Sequence, residues 1–172
     1  MLSKVHAAAL RGVDALPVEV EVHVGPGEER VVMVGLPDAA VRESIDRVST
    51  ALTSSGYHLP PGKTTVNLAP ADLRKEGPSF DLPIAVGWLI ASEQACEGIS
   101  ADYAMIGELA LTGAIRRVKG VLSVAIHVQK EGKRGLLVPI DNAPEAAMVA
   151  GLEVIPGKTV REAASFIANT MP

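Results

Sequence analysis

A chain of 172 residues, 48% hydrophobic and 21% charged, carries enough apolar material for one domain with a full core and too much to be disordered. Its net charge of −4 argues against a whole-domain nucleic-acid or membrane binder, and with only 3% aromatic residues the core must be built from Val, Ile, Leu and Ala. The single cysteine, Cys96, forms no internal disulfide and has no metal-ligand spacing. No basic-then-apolar leader opens the chain, and Leu82–Ala91, the longest apolar run, is half a membrane span, so a cytoplasmic protein with no membrane partner is expected.

Residues 3–10 and 16–24 fit strands, joined by a turn at Gly12 and Asp14. In the second, Val18, Val20, Val22 and Val24 share one face while Glu19, Glu21 and His23 share the other, the pattern of a half-buried antiparallel strand. Gly25-Pro26-Gly27 with Glu28-Glu29 suits a second hairpin into Arg30–Val34, which predicts a three-stranded meander. A helix follows from the Asp38 cap to Gly56. Val41, Ile45, Val48 and Leu52 form its apolar stripe, and Arg42, Glu43, Asp46 and Arg47 take the other side. Pro60-Pro61-Gly62-Lys63-Thr64 imitates a phosphate loop. Its spacing fails, because Tyr57 stands where glycine is needed, and a helix precedes it where a strand should, so it reads as a turn.

The next stretch, 66–91, organises the rest. Val66–Ala69 reads as a buried strand, and the segment from Pro70 to Pro78 reads as an exposed loop carrying Asp72, Arg74, Lys75 and Glu76. A helix begins at Ser79 or Asp81, both good cap types, with Pro83 in its first turn. Its interior is apolar nearly all round, which predicts a central core helix. The ordinary role of Ser79 is a cap. At the positive end of a buried helix it is also where an anion or a developing oxyanion is stabilised.

Beyond it, Ala104–Gly107 and Ala110–Leu111 suit short strands, and Thr112-Gly113 a tight turn. A helix follows with the stripe Val121, Val124, Ala125 and Val128. Gly135–Pro139 is a strand, Asp141 or Asn142 caps a short helix, Leu152–Ile155 is a strand, and Thr159 caps a last helix reaching about Asn169. This alternation implies right-handed crossovers on a partly parallel sheet. One compact α/β domain with an antiparallel N-terminal portion fits the whole.

Three segments, GLPDAAVRES (35–44), VNLAPADLRKEGPSFDLPIA (66–85) and the GEL…L.G.IR.V.G series (107–120), resemble the N-terminal domain of ComM/YifB-type, magnesium-chelatase-like AAA+ ATPases. That domain is similar to the proteolytic domain of Lon and to the Lon-like domain of RadA. The resemblance implies a Lon-protease-like, ribosomal S5 domain 2-like fold over residues 1–172. It also implies that the chain is the front of a longer protein whose motor follows Pro172, because no GxxxxGK[ST] occurs here. ATP and magnesium ion would belong to that motor, and no cofactor or metal is expected in this chain. The full-length protein would be a ring, a hexamer by resemblance, acting on DNA in branch migration during natural transformation.

Lon peptidases pair a serine nucleophile with a lysine base. Gly77-Pro78-Ser79 resembles the nucleophile motif and makes Ser79 its counterpart, while alignment through Gly113, Val118 and Gly120 places Leu122 at the lysine position. Leucine accepts no proton. Lys119, one helical turn earlier, is the nearest substitute, and His6, His23, His58 and His127 are scattered. The expectation is a domain without peptidase activity that serves assembly or guides DNA. Two alternatives stand beside it: a Ser-Lys peptidase using Ser79, and a binder of a small anion at the Ser79 helix end. For DNA, the candidate surface is Arg116, Arg117, Lys119, Lys130, Lys133 and Arg134, six cations against Glu131 alone, a local net of +5.

Overall fold

The computed structural model describes residues 1–169, so the end of the predicted domain at Pro172 lies outside them. Seven strands form one sheet in the order β3-β4-β2-β1-β5-β8-β9. These are β1 (Leu2–Arg11), β2 (Asp14–Gly25), β3 (Arg30–Val34), β4 (Lys63–Ala69), β5 (Tyr103–Met105), β8 (Gly135–Pro139) and β9 (Glu153–Gly157). The short strands β6 (Glu108–Leu109) and β7 (Ile115–Arg116) pair as a separate hairpin. β1–β2 and β2–β4 are antiparallel, and the other neighbours are parallel. This is the mixed α/β class expected, antiparallel across β4-β2-β1 and parallel at β3–β4 and beyond β1.

The predicted meander is corrected. β3 does not pair with β2. It runs parallel to β4, which occupies the edge of β2 from Glu19↔Ala69 to Gly25↔Lys63. The Pro26–Glu29 link therefore steps over the start of β4. That crossing needs a close approach, since a Cβ on Gly62 would lie 2.3 Å from the Gly25 carbonyl oxygen. A four-residue link looks alike in sequence whether the strands it joins touch or leave a slot for a third.

Helices cover both faces. One face packs α2 (Ser44–Ser54), α3 (Asp81–Ala91) and α6 (Val160–Ile167) on Val5, Ala7, Val20, Val22, Met105 and Leu137. The other packs α4 (Val121–Lys130) and α5 (Ala143–Ala146) on Ala8, Ala104, Leu136 and Val138. Adjacent residues of β1, β5 and β8 thus serve opposite layers, the period-2 geometry of a strand. α3 is central, with all eleven residues buried. It sits so close to the sheet that the Ser3 hydroxyl donates to the Gly87 carbonyl at 2.6 Å.

Several local readings hold and several need revision. Asp38 caps α1 (Ala39–Arg42), accepting from Val41 N–H, and Thr159 caps α6. The single helix expected from Asp38 to Gly56 is broken at Glu43 into α1 and α2. Neither Ser79 nor Asp81 caps α3: the cap position is Phe80, and Asp81 is the first helical residue. Strand β6 ends at Leu109, and residues 110–111 begin a turn held by Gly113 N–H to the Ala110 carbonyl. Asn142 precedes α5 without capping it, because its amide side chain instead bonds both backbone groups of Val118 at 3.0 Å.

Candidate functional site

The three segments that carry the family resemblance meet at the N-terminal end of α3. Asp38 comes from the β3–α1 turn, where one carboxylate oxygen caps α1 and the other accepts from Gly77 N–H at 3.3 Å. Gly107 donates its N–H to the Ser79 carbonyl and accepts from Leu82 N–H, tying the end of β5 to the start of α3. A cavity of 360 Å³ opens there, lined by Ser79, Asp38, Glu76 and Gly77, by Ala8, Leu10 and Ile106 of the sheet end, and by Lys119 and Val124 at α4. Ser79 and Lys119, 40 residues apart in sequence, share its wall. Leu122 does not: it is 37% exposed, lies outside the lining, and its backbone N–H donates to Glu145.

Lys75, read from sequence as an exposed loop residue, is fully buried, which corrects that reading. Its ammonium donates to the carbonyls of Gly35 (2.8 Å) and Pro70, and its own N–H and carbonyl bond Leu36 and Asp38. Burial lowers its pKa, with Asp72 opposing. The loop around it is polar enough to hide one residue that turns inward, so local composition carried no signal.

Arg47 is also corrected, from the solvated side of its helix to a partly buried place against α3. Asp81, with no exposure, accepts from the Ser44 hydroxyl at 2.5 Å, Arg47 Nε at 2.7 Å, Arg47 Nη2 at 3.0 Å and Leu109 N–H at 3.0 Å. Its hydrogen bond to Asp81 raises the Arg47 pKa further. Four bonds satisfy this carboxylate, so it is a structural knot joining α2, α3 and β6, with no free lone pair aimed at the cavity.

The six cations near α4 do not form one patch. Arg116 and Arg117 are exposed just before the helix, and Lys119 lines the cavity. Lys130, Lys133 and Arg134 lie at the other end, about 15 Å away for a helix of this length. Lys133 Nζ donates to the Ala101 carbonyl, while Arg134 pairs with Glu153 at 3.0 Å and lies over the Tyr103 ring. Two further cations lie nearby, and one of them, Arg74, pairs with Glu76 at 3.4 Å. Arg11 and Arg74 line a second cavity that shares Leu10 and Glu76 with the first.

Lys63 and Thr64 of the phosphate-loop imitation lie in β4, paired on both sides, so they make no cradle at a helix start and the residues do not fit ATP. Among the described residues no cluster of His, Cys, Asp or Glu is arranged to hold a metal, and no helix is long and apolar enough to cross a membrane. None of the four histidines lines the Ser79 cavity; burial, then Lys133, lowers the pKa of His6.

A mixed sheet with helices on both faces and a loop–helix junction at Ser79 defines the α/β fold of the ChlI and Lon-like domains. Residues 20–142 match the family model for subunit ChlI of Mg-chelatase. The chain is 48% identical over 150 residues to the YifB protein of Escherichia coli, covering 87% of this chain and 29% of that protein. It is 41% identical over 166 residues to competence protein ComM of Haemophilus influenzae, covering 96% of this chain and 32% of that one. Lon protease 2 of Bacillus subtilis is more distant, at 25% over 130 residues, 75% of this chain and 23% of the protease. The chain belongs to the ComM/YifB family of magnesium-chelatase-like proteins, and it spans about a third of the length of these YifB and ComM relatives.

Proposed function

We propose that this chain is the non-catalytic Lon-like domain of a ring-forming AAA+ ATPase, cytoplasmic and hexameric, that drives DNA branch migration in recombination or natural transformation. In this reading a motor following residue 172 holds ATP and magnesium, and the domain serves assembly or guides DNA. The observation that carries it is the place of Leu122: the residue at the lysine position of the Lon resemblance is apolar and outside the Ser79 cavity. The DNA role rests on Arg116 and Arg117, exposed and close in the chain to Lys119. In the full-length protein, Arg116→Ala with Arg117→Ala is expected to weaken DNA binding and to flatten the slope of log affinity against log salt by about 2. Unchanged affinity and slope would remove DNA guidance from these residues.

A second reading, a serine peptidase with a displaced base, is favoured by one observation: Ser79 and Lys119 line the same cavity. It expects a fluorophosphonate probe to label Ser79, and expects Ser79→Ala and Lys119→Ala each to abolish hydrolysis of an unstructured peptide. A wild-type protein that resists the probe and leaves the peptide intact is not a peptidase.

A further inference from the structure

Lys75 is buried with no carboxylate in hydrogen-bond contact, a placement that costs a charged group dearly unless its donors are used. It uses them on main-chain carbonyls from two separate loops, Gly35 of the β3–α1 turn and Pro70 of the β4–α3 loop. Its backbone adds two more ties to the same turn, Lys75 N–H to Leu36 at 3.0 Å and Asp38 N–H to Lys75 at 2.9 Å. One residue thus grips Gly35, Leu36 and Asp38 together. The gripped turn is not relaxed: Leu36 holds a left-handed backbone at φ 57 with its side chain 53% exposed. The two loops so joined both line the Ser79 cavity, one through Asp38 and the other through Glu76, Gly77 and Ser79.

We propose that Lys75 is a latch that sets the opening of the Ser79 cavity, and that releasing its ammonium weakens the hold between the two loops, so that they separate more readily while the α3 core stays folded. The latch does not depend on either functional reading, because it concerns how the cavity is closed and not what enters it. Among the described residues, the hydrogen bonds between these loops that do not use the ammonium are Lys75 N–H to Leu36, Asp38 N–H to Lys75, and the long bond from Gly77 N–H to Asp38. The segment from Ala71 to Arg74 beyond it is mostly exposed. Methionine at position 75 would keep the buried length and remove the donors, leaving the Gly35 carbonyl without its ammonium partner and the Pro70 carbonyl with the 3.3 Å bond from Leu73 N–H.

Site-resolved amide hydrogen exchange on this chain tests the latch. In the wild type, the Asp38, Lys75 and Gly77 amides are expected to exchange through one shared opening, with similar protection that is lower than that of Val86 and Leu89 in α3. Lys75→Met should speed exchange at Asp38 and Gly77 about tenfold or more and leave α3 unchanged. In a Ser79→Cys, Cys96→Ser background the same substitution should speed alkylation at position 79 by a similar factor. Equal acceleration in α3 would make Lys75 an ordinary stabilising residue, and no acceleration would leave it without a role at the cavity. Either result overturns the latch. If Lys75→Met does not fold, the wild-type data decide: unrelated protection at the three amides overturns it as well.

Discussion

Replacing Asp81 by alanine is expected to cost about 3–5 kcal/mol of folding stability, the range for removing one partner of a buried ion pair. The carboxylate has no exposure and accepts from Ser44, from two nitrogens of Arg47 and from Leu109 N–H. Without it, a guanidinium whose side chain is only 20% exposed loses its charged buried acceptor, keeping the Ala40 carbonyl at 3.0 Å, the Ser44 hydroxyl at 3.3 Å and a 3.5 Å contact with Glu43. The buried N–H of Leu109 is left with no partner, which adds a penalty of its own. The magnitude is large because this one buried group ties α2, α3 and β6 together. Arg47→Ala should cost less than Asp81→Ala, and the double variant less than the sum of the two, since both remove one interaction. Equilibrium denaturant unfolding reads all three. An Asp81→Ala protein within 1 kcal/mol of wild type would mean that the knot contributes nothing net.

Gly35→Ala is the second severe change expected, costing at least about 2 kcal/mol. Gly35 has φ 108, outside the left-handed region that Leu36 occupies, and a Cβ there would sit 2.2 Å from the Leu68 carbonyl oxygen. The clash is with strand backbone, which cannot swing aside as a side chain can. Gly35 also offers the carbonyl that Lys75 holds, so the turn cannot shift without loosening the cavity wall. Gly12→Ala is the natural comparison. It also has positive φ, at 64, but nothing lies within 4 Å of the added methyl, so its cost should be the backbone term of about 1 kcal/mol. Thermal or denaturant unfolding that ranks the two equally would place the whole effect in backbone preference and none in the contact.

Much of the scaffold was legible in the residues. Alternation in β2 marked Val18, Val20, Val22 and Val24 as one buried face; the first three are buried and Val24, near the strand end, is partly so. Unbroken apolarity in 82–91 marked the central helix, and Asp38 and Thr159 marked two helix starts by their side-chain bonds. These are local signals, because capping and strand alternation act within a few residues. Of the site, Ser79 and Lys119 were named from motif resemblance, and Asp38 was seen only as a cap.

The rest waited on partners far away in the chain. That β3 lies against β4 and not β2 depends on a strand that arrives 30 residues later, and a turn cannot encode what will fill the slot beside it. Lys75 and Arg47 look like surface residues, since charge normally stays in water, and each is taken inside only because carbonyls of Gly35 and Pro70, or the carboxylate of Asp81, meet it there. The run of cations from Arg116 to Arg134 is one cluster in sequence and two in space, because a helix of ten residues holds its ends apart. By itself the sequence determined most of the strands and helices and which of their faces are apolar. Only the tertiary structure decided which strands pair and which charges are buried, and it brought Ser79 and Lys119 to one cavity, because those outcomes are set by contacts between residues tens of positions apart.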